Sequence, residues 1–185
     1  MSPIPRLFFS SLWMSVCFLG CTGILLYYSG ARDKAVWVFY PSMFFCLYFC
    51  FYVVKYAFNL SVVRRDVDIE FANGESAETY FIVPSAVIYT LFTAASYSGW
   101  VLFGESFVTG GNDSYMSWLA YGLDNYIRAV MFDFAEVYRF DLSTIEHASG
   151  FWPSTFVFIV RTSLSISVLS IAITTFKRIN RRRSN

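Results

Sequence analysis

FWPSTFVFIVRTSLSISVLSIAITTF, residues 151–176, runs twenty-six residues with a single charge, Arg161. About twenty apolar residues suffice to cross the hydrocarbon core of a bilayer, so this stretch reads as a transmembrane helix. Three more stretches of the same kind lie upstream. Residues 7–28 carry no charge, residues 36–58 carry only Lys55 near their end, and residues 81–103 carry none. At 22 residues the first exceeds the apolar core of an ordinary signal peptide, and no small-residue cleavage site follows it, so it reads as a retained span.

The composition agrees. Of 185 residues, 56% are hydrophobic, 21% aromatic and only 15% charged. A soluble domain carries about 25% charged residues and needs them to cover its surface. Disorder, a disulfide-rich secreted module and a free nucleic-acid-binding domain are excluded. The fold class that follows is an all-α membrane protein. It is a four-transmembrane helix bundle forming one polytopic domain over 1–185, with a structured, partly helical outer segment between spans three and four.

Charge placement sets the orientation. Lys177, Arg178, Arg181, Arg182 and Arg183 follow the last span directly, and such clusters stay on the cytoplasmic side. Both termini and the 59–80 loop are then cytoplasmic, and segment 104–150 is outside, placing the chain in a bacterial inner membrane. That outer segment holds seven acids against Arg128 and Arg139. Its Gly110-Gly111-Asn112-Asp113-Ser114 turn precedes a helix expected over 115–139, supported by an Asp124–Arg128 pair at i, i+4. Trp118, Leu119, Ile127, Met131, Phe134 and Tyr138 supply its apolar surface. With four charges over 115–138 it is a poor fifth span, and an interfacial or re-entrant helix is the better description. Ser143 and Glu146 form a capping box opening a short helix bounded by Gly150 and Pro153.

Within the spans, four features stand out. Residues 36–58 contain eleven aromatics, more than interfacial belts need, suggesting a lipid-facing or packing surface. Ala94, Ala95, Ser98 and Gly99 permit close helix approach. Ser163, Ser167, Ser170 and Thr174 share one helical face; they serve either as a packing stripe or as the lining of a water-filled path in an oligomer. Arg161 requires a partner inside the membrane. No span contains an acid, so Asp124, Asp133 and Glu136 of the outer segment are its candidate partners, provided that 115–138 dips inward.

Catalytic signatures are absent. There is no GxSxG, HExxH or phosphate loop, and the 107–113 stretch FVTGGND lacks the following Lys-Ser/Thr that a phosphate cradle needs. His147 is the sole histidine. Asp133 and Glu136 at i, i+3 could form an acid/base pair, yet no nucleophile or metal ligand set accompanies them. Cys17 and Cys21, and likewise Cys46 and Cys50, stand at i, i+4; four thiolates could bind zinc, but free cysteines in lipid more commonly pack as small hydrophobes. The reading is a non-enzyme with no metal and no cofactor.

The layout of four spans, a structured outer segment over 104–150 and a basic cytoplasmic tail resembles the KwaA family, the membrane subunits of the Kiwa antiphage system. The resemblance implies an oligomeric, tetrameric inner-membrane sensor of phage attack that binds a cytosolic DNA-binding partner and does not itself contact nucleic acid. Residues 115–146 would then be the sensing face. Arg64, Arg65, Asp66, Asp68 and Glu70 of the 59–80 loop would be the docking face. The functional expectation is a non-catalytic sensor or scaffold coupling an outer event to a cytoplasmic partner; the alternative is a small ion channel lined by the Ser/Thr stripe.

Overall fold

Pro41 and Pro84 each sit inside an unbroken helix, although each removes one backbone bond. Long apolar helices tolerate this where neighbouring elements satisfy the freed carbonyl. The structure, a computed structural model, describes residues 13, 17, 20, 32–58, 77–104, 115–133 and 148–184. Its helices are α1 (Arg32–Phe58), α2 (Ala77–Phe103), α3 (Tyr115–Val130) and α4 (Ala148–Ser184), and the described residues contain no strand. Apart from Trp13, Cys17 and Gly20, the 7–28 stretch lies outside the described residues. So do Arg64, Arg65, Asp66, Asp68, Glu70, Glu136, the Ser143–Glu146 capping box and His147, as well as the side chain of Thr174.

Three helices are long and apolar enough to cross a membrane, over Asp33–Lys55, Pro84–Phe103 and Thr155–Lys177. Each helix extends beyond the stretch its composition marks. α1 starts at Arg32, with Asp33 in its first turn and Lys55 in its last, both placed favourably for the helix dipole. α2 starts at Ala77 and stops where Gly104 adopts φ 67°, a left-handed C-cap that glycine reaches without steric penalty. α4 continues past residue 176 through the basic tail to Ser184, giving a helix about 55 Å long. Gly150 and Pro153 do not bound a separate short helix, as the sequence reading has it. They lie inside the first turns of α4, where a proline deletes one bond near a helix end already short of partners.

The three long helices alternate in direction. Phe39 of α1 meets Phe103 of α2 edge-on at 5.4 Å, and Cys46 Sγ lies 3.8 Å from Ile88 O, so α1 and α2 are antiparallel. Phe92 of α2 stacks on Phe156 of α4 at 5.6 Å, near the start of α4. Ser170 further along α4 reaches Ala57 O at the end of α1. α2 is the enclosed member: 72% of its spanning window is buried, against 39% for α1 and 44% for α4.

The core gathers Cys46, Phe49, Cys50 and Val53 of α1, Val87, Ile88, Leu91, Phe92 and Ala95 of α2, and Phe156, Val160 and Leu164 of α4. Ala94, Ala95 and Ser98 are almost completely buried, as small residues at a close helix contact should be. Cys46 and Cys50 are filled in as small hydrophobes, while Cys17 is exposed. The aromatics of α1 divide by face. Phe39 and Phe49 pack inward, whereas Trp37, Tyr40, Phe44, Tyr48, Phe51 and Phe58 form an exposed stripe along the helix. That stripe is the surface a lipid-facing helix presents.

Candidate functional site

α3 differs from the other helices in being amphipathic, and its two faces carry different chemistry. Trp118, Gly122, Asn125 and Ala129 follow at i, i+4, i+7 and i+11, and all four are buried. Leu123, Asp124, Ile127 and Met131 point the other way and are exposed. Ile127 and Met131 thus lie on the exposed face, whereas contact with α2 and α4 is made through Trp118, Gly122, Asn125 and Ala129.

The buried face docks lengthwise. Trp118 lies among Tyr97, Trp100 and Tyr121, with ring centroids 5.9, 6.1 and 5.2 Å away. Tyr89 donates from its hydroxyl to Leu119 O at 3.1 Å. Gly122 passes so close to α2 that a Cβ there would lie 2.1 Å from Thr93 Oγ1. One turn later Asn125 Oδ1 accepts from Arg161 Nε at 2.8 Å and from a second guanidinium nitrogen, Nη2. Asn125 donates in turn through Nδ2 to Tyr121 O at 2.9 Å, which fixes the amide orientation. Last, Ser165 Oγ donates to Ala129 O at 2.6 Å. α3 thus runs antiparallel to α2 and parallel to α4, wedged between them.

These contacts set its depth. Thr93 lies ten residues, about 15 Å, from the Phe103 end of the α2 span, and Ser165 the same distance from the Thr155 end of the α4 span. Gly122 is level with the first and Ala129 with the second. The half of α3 that follows Gly122 therefore runs alongside the interior of both candidate spans.

The helix ends there too. Asp133 N donates to Arg128 O at 2.8 Å and Phe132 N to Ala129 O at 3.2 Å, the paired bonds of a Schellman motif. Phe132 occupies the left-handed position, φ 57°, where glycine is usual. The helix reaches Val130 and stops, short of the Arg139 expected from the sequence. Helix propensity alone does not signal the left-handed turn at Phe132.

Arg161 is 5% exposed and Asn125 2%, so this guanidinium–amide contact is buried on both sides. The sequence reading assigned Asp124 and Asp133 to Arg161. Both meet Arg128 instead: Asp124 Oδ2 lies 2.8 Å from Nε and Asp133 Oδ2 3.5 Å from Nη1, and all three side chains are partly exposed. Asp124 is one residue from Asn125, and that 100° of helix rotation takes it to the opposite face. The Asp124–Arg128 spacing recognised in the sequence does form its ion pair.

The hydroxyl stripe is interior. Ser163 donates to Ile159 O, Ser167 to Leu164 O and Ser170 to Ala57 O, and all three residues are at most 5% exposed. This is a packing stripe bonded to the backbone, as hydroxyls in apolar helices usually are. Ser165, two residues from Ser163 and outside the stripe, makes the contact to α3. No group of three metal-ligating side chains occurs among the described residues. Asp133 is engaged by Arg128, and the carboxylate pairing with Glu136 involves a residue outside the described set.

Sequence reasoning passed over Asn125, Gly122, Thr93 and Ser165. One signal for Asn125 was available: it shares a helical face with Trp118 and Ala129, so an amide sits where an apolar residue is the default. Compared with protein-family models, curated proteins and solved structures, the chain matches none of them.

Proposed function

We propose that the chain is a non-catalytic, oligomeric sensor or scaffold of a bacterial inner membrane. An event at the 104–147 segment reaches the basic tail through α3 and α4. The observation that carries this reading is the buried contact of Arg161 with Asn125. It ties α3, which follows the outer-segment turn, to the long helix α4 that continues into the basic tail. α3 cannot shift without moving that contact, the Ser165–Ala129 bond and the Gly122–Thr93 approach together. α4 is continuous from Ala148 to Ser184, so displacement at Arg161 has a stiff path to the tail.

On this reading the tail and the 59–80 loop, with Arg64, Arg65, Asp66, Asp68 and Glu70, face a cytosolic protein partner. The layout shared with the KwaA family makes antiphage defence the setting. A fluorescent probe on Asn180→Cys, in a Cys17→Ser/Cys21→Ser background, reads the tail directly. Asn125→Leu should change its spectrum and reduce capture of a soluble partner. An unchanged probe, in a protein where Met131→Cys has become more reactive to thiol reagents, would sink the coupling. Deleting 64–78 without loss of partner capture would remove the docking face.

Ion conduction is a second reading, favoured by the charged residues of α3 alongside the candidate spans of α2 and α4. Because Ser163, Ser167 and Ser170 are buried in their own protomer, its lining would be α3. Liposome currents altered by Asp133→Asn support it; electrically silent liposomes refute it.

A further inference from the structure

The exposed face of α3 has no business facing lipid. Asp124 and Asp133 side chains are 54% and 43% exposed and Arg128 30%, all beyond Gly122 and so alongside the interior of the candidate spans of α2 and α4. Charged groups at that level face protein or water in membrane proteins, since hydrocarbon solvates neither sign. The backbone makes the same demand independently. α3 ends at this level in an irregular turn, with Met131 and Phe132 at 72% and 48% exposure. A helix terminus at membrane depth is tolerated only where protein or a water-filled cavity covers it. The contrast with α1 is instructive, because its outward stripe is Trp37, Tyr40, Phe44, Tyr48 and Phe51, with no charge before Lys55 in the last turn. One outward surface suits hydrocarbon and the other does not.

We infer that the Leu123–Asp124–Ile127–Met131 face of α3 is covered by a second copy of this chain. The face is self-complementary in charge: Arg128 lies between Asp124 and Asp133, so an approaching copy offers acids to each arginine and an arginine to each acid. Leu123, Ile127 and Met131 flank this polar row and supply the apolar contact. The uncharged 7–28 stretch offers no countercharge to the same row. The assignment places the contact between copies on the element that the proposed function makes the receiver, but it does not depend on transmission to the tail.

Cross-linking in native membranes tests it. In the Cys17→Ser/Cys21→Ser background, Leu123→Cys and Met131→Cys are joined with a flexible bis-maleimide, with Tyr48→Cys and Phe51→Cys on the exposed α1 stripe as controls. All four are exposed positions, so folding is not at stake. The expected result is that most of the chain migrates as an interchain adduct from both α3 positions, and only background adduct forms from the α1 positions. Monomer from both α3 positions overturns the assignment, whether or not the protein is oligomeric by native mass. An intrachain adduct between Trp13→Cys and Met131→Cys, without interchain product, overturns it in favour of the first span. A protein that cross-links as expected while the Asn180→Cys probe ignores Asn125→Leu keeps this interface and loses only the coupling.

Discussion

Gly122→Ala is the sharpest probe of how α3 is held. Alanine is the better helix former by about 1 kcal/mol, so propensity alone makes the substitution stabilising. The structure reverses that sign. The added Cβ would meet Thr93 Oγ1 at 2.1 Å, Tyr89 Cε2 at 3.1 Å and Thr93 Cβ at 3.3 Å, where contacts under 3.0 Å force something to shift. Thr93 cannot swing aside readily. It is fully buried, β-branched, and bonded through Oγ1 to Tyr89 O at 2.8 Å. The whole of α3 must therefore back away, which stretches the Tyr89–Leu119, Arg161–Asn125 and Ser165–Ala129 bonds together. Overpacking of this kind costs about 1–3 kcal/mol, and part of the roughly 1.5–3 kcal/mol from a hydrogen bond to a charged group is lost with it. Set against the propensity gain, the net destabilisation is about 2–4 kcal/mol. Reversible unfolding in mixed micelles, followed by the fluorescence of the Trp100–Trp118 cluster, measures it. Adding Thr93→Ala makes room for the methyl and should recover at least about 1 kcal/mol, a non-additivity expected only for residues in contact. A Gly122→Ala protein as stable as the parent, or strictly additive effects, would refute the close approach of α3 to α2.

Asn125→Leu keeps the volume but takes the amide from the buried guanidinium, and should destabilise by about 3 kcal/mol in the same assay. Combined with Arg161→Met most of that loss should return; additive losses would mean the two side chains do not act as a pair. Phe132→Gly relieves a left-handed conformation costing an L-residue roughly 1–2 kcal/mol, partly offset by glycine entropy, for a net gain of about 0.5–1 kcal/mol. Phe132→Val should do the opposite, and equal effects from both would discount the strain. Phe92→Ala in the core should cost about 3–5 kcal/mol. Phe44→Leu on the exposed stripe should stay within about 0.5 kcal/mol, and a large loss there would mean the stripe is packed against protein.

How much of this was legible in the chain depends on the range of the interaction concerned. The 36–58, 81–103 and 151–176 stretches were readable because burial in hydrocarbon is a property of composition over about twenty residues, and needs no partner to be specified. Their ends were not, since α4 runs on through a charged tail where helical bonding continues after hydrophobicity stops. The Asp124–Arg128 pair was visible because spacing within one helix is fixed by its 3.6-residue period. The requirement that Arg161 have a partner was also visible, but Asn125 was not. Charge alone pointed to acids, whereas the helix rotation that packing imposes brings Asn125 round and leaves Asp124 and Asp133 on Arg128, Glu136 lying outside the described residues.

By itself, then, the sequence determined which segments are too apolar for water, that Arg161 is costly where it stands, and that 104–150 is too apolar to be a plain loop. Tertiary structure alone decided that α3 descends between α2 and α4, that Gly122 is the point of closest approach, and that Ser163, Ser167 and Ser170 face inward while Asp124, Arg128 and Asp133 face out. The physical reason is that hydropathy and helical period are local and additive along a chain. Rotation and depth of a helix are set by side chains meeting across thirty or more positions, as in Tyr89–Leu119 and Asn125–Arg161, and no local pattern encodes them.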